Sequence, residues 1–193
     1  MYYFKNLTDD ELIALIRQND ETAIAALLNR YKNKFYTAAV LLVKDRTLAE
    51  DLFQDACVKI IQSIRMGKYK DDGRFMAWAM RLTRNLCYDY LRAAKRAPKI
   101  MTQDGQDVFE VLHFQSESAE SVMIQYQSEQ NVKKMLDALP DEQREVVVLR
   151  VYGGLSFKEI ATLTDTSINT CLGRMRYALI NLRKMMHEKQ ISL

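Results

Sequence analysis

The sequence predicts an all-α fold, arranged as two small helical domains joined by a flexible linker. Three observations carry that expectation. Apolar residues recur at spacings of three and four almost throughout the chain, the period of a single helix face. Only 6 Gly and 2 Pro interrupt the 193 residues, so breaks are few. A polar, weakly patterned stretch over 98–128, containing Pro98, QDGQD and SESAES, exceeds the usual length of a loop inside one compact domain. Hydrophobic residues at 48% suit a folded chain with a modest core in each domain.

The elements run in order. Thr8 with Glu11 forms a capping box that opens a first helix carrying Leu12, Ile13, Leu15 and Ile16. Asp20 caps a second, in which Ile24, Leu27, Leu28, Tyr31 and Phe35 keep helical spacing. A third runs from about Leu48 to Arg65, with Leu52, Phe53, Ala56, Ile60 and Ile64 inward. Glycine-bounded and charged, MGKYKDDG (Met66–Gly73) reads as a loop. A fourth helix, from Arg74 to Arg96, carries Phe75, Trp78, Leu82, Leu86 and Leu91. The linker comes next, with one transient helical turn.

Beyond it, Pro140 sits in the first turn of a helix whose early acids, Asp141 and Glu142, suit the positive end of the helix dipole. The next residues, VVVLRVY (Val146–Tyr152), favour a strand by local propensity. They are assigned to the helix because helical signals flank them and no neighbouring strand exists to pair with them. Gly153-Gly154 ends that helix, and Ser156 with Glu159 forms a second capping box.

The segment from Ser156 onward has the pattern of a helix-turn-helix. Ala161 supplies a small contact in the first helix, Thr164-Asp165-Thr166 a tight turn, and Ile168, Cys171, Met175, Leu179 and Leu182 an apolar seam on the second. Asn169, Thr170, Gly173, Arg174, Arg176 and Tyr177 share its outer surface, near enough to the front to reach phosphates and base edges in a major groove. An amphipathic hairpin with a solvated basic face fits this segment alone as well. A second basic cluster lies over Gly73–Arg96. Arg74, Arg81, Arg84, Arg92, Lys95 and Arg96 alternate there with Phe75, Trp78, Tyr88 and Tyr90, a mixture suited to single-stranded DNA. Aromatic residues at helical spacing are more often core, and that reading stands beside it.

Bulk properties narrow the function classes. A net charge of +3 with a pI near 8.7 permits a nucleic-acid partner without demanding one. Cys57, Cys87 and Cys171, odd in number and set in apolar patterns, read as buried thiols of a reducing compartment. No apolar run approaches the ~20 residues of a membrane span, and MYYFKNLTDDEL lacks the pattern of a signal peptide. A cytoplasmic protein without membrane insertion is expected. An enzyme is the least favoured class, with no catalytic residue or cofactor expected. His113 and His187 lie beside no nucleophile, metal-ligand spacing or phosphate loop, and Asp51 and Asp55 have no histidine to complete a metal pair.

Three blocks in order carry a resemblance. They are AEDLFQD, the F-x-A-W…RN…D-x-LR pattern of Phe75 to Arg92, and LP…R…LR…GLS-x-x-EIA leading into the two-helix unit. Together, at these separations, they are highly specific. The chain closely resembles a bacterial RNA polymerase sigma factor of the extracytoplasmic-function group, which keeps only sigma regions two and four. The resemblance implies a region two domain over 1–97, a linker over 98–128 and a region four domain over 129–193. It implies that Asp51, Leu52, Phe53, Gln54 and Asp55 bind the beta-prime clamp of core RNA polymerase. Paired carboxylates and an amide suit arginines on a partner helix.

It implies further that Lys68, Tyr69 and Lys70 line a pocket for an extruded minus-ten base, with Arg84, Asn85, Asp89 and Arg92 holding strand and backbone. Trp78 is expected to be mainly core. Ser167, Asn169, Thr170, Gly173, Arg174, Arg176 and Tyr177 are implied readers of the minus-thirty-five element, and Leu172 and Gly173 stand where the family more often has a polar pair. Implied partners are core polymerase, through its beta-prime clamp and beta flap, promoter DNA and an anti-sigma factor, with the free protein a monomer. Two rivals remain: a dimeric helix-turn-helix regulator that needs no polymerase, and a helical adaptor whose hairpin meets protein.

Overall fold

The computed structural model of the protein describes residues 6–70, 73–96 and 131–188. The linker over 98–128, its helical turn and His113 lie outside these. The order is α1 (Asp9–Arg17), α2 (Glu21–Val43), α3 (Arg46–Arg65), α4 (Phe75–Arg96), α5, described over 131–137, α6 (Asp141–Val151), α7 (Phe157–Thr164) and α8 (Ile168–Glu188). No strand occurs among the described residues. No helix among them is long and apolar enough to cross a membrane.

Local chemistry sets most boundaries. The Thr8 hydroxyl accepts from Glu11 N, while Glu11 Oε2 accepts from Thr8 N at 2.7 Å, so both orphan donors at the start of α1 are satisfied. Asp20 caps α2 through Thr22 N and Ala23 N. Helix α3 starts two residues earlier than the sequence predicts, because Asp45 caps it by accepting from Leu48 N. Pro140 occupies the cap position before α6 rather than its first turn. Of the three thiols, Cys87 and Cys171 are buried and Cys57 is half-buried. Burial pushes Cys57 up to about 11 and Cys87 to about 12.

Helices α1–α4 pack mutually as one bundle and α6–α8 as a second, and α2 packs on α6 to join them. Two modules are therefore present, but their cores are continuous: one buried cluster runs from Leu12 through Phe35, Ile60 and Met80 to Val146, Leu155 and Cys171. The last turns of α2, Ala38–Val43, are buried on every side. A helix that is apolar all round is an interior helix, and this one ends where Lys44 approaches Asp141 of α6 at 3.7 Å.

Helix α6 is the other interior element. Arg144, Glu145, Val146, Val147, Val148 and Leu149 are all buried, so tertiary cover overrides the strand propensity of the valines. At its end Gly153 leaves no room for a side chain: a Cβ there would sit 2.6 Å from the Leu149 carbonyl oxygen and 2.7 Å from Met80 Cγ on α4. The Arg150 guanidinium donates to the Leu155 carbonyl at 2.9 Å and lies 5.2 Å over the Phe157 ring, which fixes the approach to α7.

The turn between α7 and α8 places Asp165 in the left-handed region, φ 52°. Because that conformation is unfavourable for an L side chain by roughly 1–2 kcal/mol, Asp165→Gly should raise the unfolding free energy by about 0.5–1 kcal/mol. Asp165→Val should lower it, both read by urea denaturation.

Candidate nucleic-acid and partner interfaces

The basic face of α4 is the first candidate. Arg84 is not open to solvent. Its side chain is 8% exposed and is paired with Glu145 of α6, which is 6% exposed. Arg84 Nε and Nη2 both donate to Glu145 Oε1, at 2.8 and 2.6 Å. The guanidinium lies 4.1 Å from the Tyr88 ring centroid, and burial, then the charge and hydrogen bond of Glu145, drive the Tyr88 hydroxyl pKa upward.

One turn away, Glu159 of α7 does two jobs. Its Oε2 accepts from Ser156 N and Oγ at 2.8 and 2.7 Å, closing the capping box. Its Oε1 accepts from Arg81 Nη2 at 2.7 Å and Arg74 Nη1 at 3.2 Å. Burial works to raise the Glu159 pKa, but the Ser156 hydrogen bonds and the two arginine charges outweigh it and hold the group below the ordinary glutamate value. A lowered carboxylate pKa lends stability that is complete above the ordinary range and lost as pH falls through the lowered value, so this contact is intact at neutral pH. Beside these pairs is a hollow of about 430 Å³ lined by Arg81, Arg84, Asn85, Asp89 and Arg92 of α4 and capped by Glu159, Thr162 and Leu163 of α7.

The loop before α4 differs from expectation. Lys68 and Lys70 are exposed, but Tyr69 is 2% exposed, its ring 4.7 Å from Trp78 and 5.9 Å from Phe75. It is a core residue in this state and lines no open pocket. The loop bends back over the bundle, with the Tyr69 carbonyl accepting from Arg17 Nη2 at 2.9 Å, and this carries the ring inward. Trp78 is half-buried in the same cluster, as the sequence predicts.

On α3, Asp51, Gln54 and Asp55 are exposed along one face, with Val58, 52% exposed, one turn further along it. Leu52 is buried and Phe53 half-buried against Tyr36, with ring centroids at 6.0 Å. These two hold the helix in the bundle, and the polar trio is what a partner meets.

The two-helix unit forms as the spacing requires, with Ala161 buried and Thr166 N donating to the Ala161 carbonyl at 3.0 Å. Thr164 donates to the Ile160 carbonyl and meets Thr166, which in turn contacts the Cys171 sulfur at 3.3 Å. The Ser167 hydroxyl caps α8 by accepting from Thr170 N at 3.0 Å. Asn169, Thr170, Arg176 and Tyr177 are exposed, and Gly173 and Arg174 half-buried. Nothing lies within 4 Å of a Cβ built on Gly173, so the protein itself does not require glycine there.

The apolar seam needs correction. Cys171 and Ala178 are buried, with Met175, Leu182 and Met185 packed beside them, but Ile168 and Leu179 are 45% and 41% exposed. They fall on the edge of the core face. Leu179, with Phe157, Leu172, Met175 and Ile180, lines an open groove of about 460 Å³ rimmed by Arg176 and Arg183.

Sequence reading missed Glu145 and Glu159 as partners of the basic face. A glutamate inside a run of valines was the available signal, since a buried acid demands a cation. The identity of that cation, 61 positions away, is not encoded locally.

Comparisons with known proteins agree with the three sequence blocks. Residues 27–97 match the family model for Sigma-70 region 2, and residues 129–179 match that for Sigma-70, region 4. The RNA polymerase sigma-H factor of Pseudomonas aeruginosa is 28% identical over 86% of this chain and 88% of its own. The ECF RNA polymerase sigma-E factor of Haemophilus influenzae is 27% identical over 96% of both chains. Two solved structures share the fold. One is the sigma factor RpoE in complex with the anti-sigma factor NepR from Bartonella quintana, at a TM-score of 0.63 and 22% identity over 83% of this chain and 94% of that one. The other is CnrH in complex with the cytosolic domain of CnrY, at 0.60 and 21% over 93% and 97%.

The placement of Tyr69 has a direct test. Tyr69→Ala should lower the unfolding free energy by about 3 kcal/mol or more, the usual loss for a buried aromatic side chain. Lys68→Ala should change it by less than about 0.5 kcal/mol, both measured by chemical denaturation.

Proposed function

This chain belongs to the sigma-70 family, in its extracytoplasmic-function group, and from that membership we propose how its residues divide the work of promoter-directed transcription initiation. Residues 1–97 bind core RNA polymerase and open the minus-ten element; residues 129–193 read the minus-thirty-five element in duplex DNA. The observation that carries this reading is the polar side of α8. It starts at a capped, unobstructed helix end and presents Asn169, Thr170, Gly173, Arg176 and Tyr177 away from Cys171 and Ala178. Phosphate contacts from the arginine and cap residues would fix register, and Asn and Thr would meet base edges. An open backbone at Gly173 suits close approach by DNA.

The acidic trio of α3 supports docking to the beta-prime clamp. Two carboxylates and an amide followed one turn on by an exposed valine combine charge steering with an apolar contact. On α8 the apolar groove lies beside the DNA-reading side, and this supports a protein partner there, the beta flap in the initiation complex or an anti-sigma factor in its absence. RpoE of Bartonella quintana is bound by a partner of the latter class, which we extend to this chain.

The decisive experiment is run-off transcription with purified core polymerase on a promoter library, with and without the protein. Protein-dependent transcripts are expected, and their absence from every promoter overturns the reading. Asp51→Arg should weaken co-migration with core at least about tenfold, equivalent to ~1.4 kcal/mol. Arg174→Ala with Arg176→Ala should leave core binding intact and reduce transcript from promoters that depend on the upstream element. A polymerase-independent regulator would show the opposite pattern, with DNA binding untouched by Asp51→Arg.

A further inference from the structure

We propose that Arg17, at the end of α1, is a positioning residue for the minus-ten contact. It acts through Tyr69: by holding that residue's carbonyl it sets the course of the loop that presents Lys68 and Lys70 to the separated strand. The inference rests on the proposed function and adds to it a helix, α1, that lies ahead of residue 27, where the match to region 2 begins.

Tyr69 is held from three helices at once. Its N–H and that of Lys68 both donate to the Ser63 carbonyl in the last turn of α3, at 3.3 and 2.9 Å. Its ring packs on Phe75 and Trp78 of α4, with centroids at 5.9 and 4.7 Å. Its carbonyl accepts from Arg17 Nη2 at 2.9 Å, across 52 positions of sequence. The first two ties fix the start of the loop and the ring. The third fixes the direction in which the chain leaves Tyr69. A peptide unit is planar, so a carbonyl held in place also sets the N–H and Cα that follow it. That Cα belongs to Lys70, which with Lys68 is exposed. A guanidinium donor makes the tie charge-assisted, and so stronger than an ordinary backbone contact.

Arg17 is itself firmly seated. Leu12, Ile13 and Ile16 of α1 are buried, which fixes the helix on the bundle. At its other end Asp9 accepts from Arg30 Nη1 at 2.6 Å and from the Tyr31 hydroxyl. The Tyr31 ring lies 5.5 Å from Phe75, so both ends of α1 reach one aromatic cluster, and the loop rests on that same cluster. Contacts to a strand discriminate only when their side chains start from a backbone held by a supporting shell. Here α1 supplies that shell.

Two measurements test this on the full chain. Arg17→Met keeps an aliphatic stem and helix propensity but removes the donors, and Arg17→Lys restores a donor and the charge. Trp78, the one tryptophan of the sequence, packs on the Tyr69 ring and reports its seating. In Arg17→Met its emission should shift to longer wavelength and be quenched more readily by acrylamide. Arg17→Lys should return both toward the values of the unsubstituted protein. Emission and quenching that stay unchanged in Arg17→Met overturn the proposal.

The second uses holoenzyme on a promoter library randomised over the minus-ten element, with transcripts sequenced. Arg17→Met should relax base preference at one or more positions by about fivefold, the size of a lost base contact. Core binding and minus-thirty-five preference should not change. Lys68→Ala with Lys70→Ala should relax the same positions, and adding Arg17→Met should change nothing further, because residues that act as a unit are not additive. Additive effects mean that Arg17 meets DNA by itself, and they overturn the positioning role. So does an equal loss of output from every promoter, the mark of a residue that only stabilises the fold. Helical circular dichroism is recorded throughout, and Arg17→Ala replaces Arg17→Met if that variant unfolds. Failure of the function itself reads differently, as no transcript with the unsubstituted protein. Transcripts whose base preference is unaltered in Arg17→Met sink this inference alone.

Discussion

Everything in this molecule turns on the burial of α6. Its valines favour a strand, its arginine and glutamate favour water, and yet Arg144 to Leu149 all lie inside. Such a segment stays helical only if apolar surface covers it on several sides and each charge finds a partner. α8 and α7 supply part of the cover and α2 the rest. Arg144 finds its partners within its own module, donating to the Leu139 carbonyl at 3.0 Å and to Asp141 at 2.7 Å, with its Nε buried and unbonded. Glu145 is satisfied from outside it, by Arg84. The second module is thus completed by the first, and a helix that belongs to one serves as core for both.

That arrangement explains the uneven surface of the protein. α3 and the polar side of α8 are left open, while on the basic face of α4 Arg84 is buried and Asn85, Asp89 and Arg92 stay exposed. The surfaces expected to meet polymerase and duplex are accessible; of the residues expected to meet separated strands, Tyr69 and Arg84 are buried while Lys68, Lys70, Asn85, Asp89 and Arg92 are exposed.

How much of this was legible in the sequence depends on the range of each interaction. Capping boxes at Thr8–Glu11 and Ser156–Glu159, the left-handed turn at Asp165 and the small contact at Ala161 involve residues three to five apart, and each was readable because its partners are neighbours along the chain. Helical period was enough to place the inward faces of α1 and α3; on α4 it found Phe75 and the half-buried flank of Trp78, Leu82, Leu86 and Leu91, but not the buried line of Ala79, Met80 and Thr83. It failed at Ile168 and Leu179, which lie on the margin of a stripe where the depth of the opposing surface decides exposure. Failure at Tyr69 was of another kind. A tyrosine between two lysines reads as solvent-facing, and only the course of the loop over Phe75 and Trp78 turns it inward. Six consecutive apolar residues at Ala38–Val43 carry a signal of all-round burial that a reading by helical period alone passed over.

Gly153 has a consequence for how such a protein diverges over time. The gap between the Leu149 carbonyl, Leu155 and Met80 is too small for one additional carbon, so the spacing of the modules is set by a missing atom. Lineages that kept glycine would inherit a tight seam. Those that drifted to alanine would have to shorten the residue at position 80, unravel the last turn of α6, or live with modules that rest farther apart. A difference in resting state between relatives would then be written inside the seam between the modules, at a position that carries no side chain.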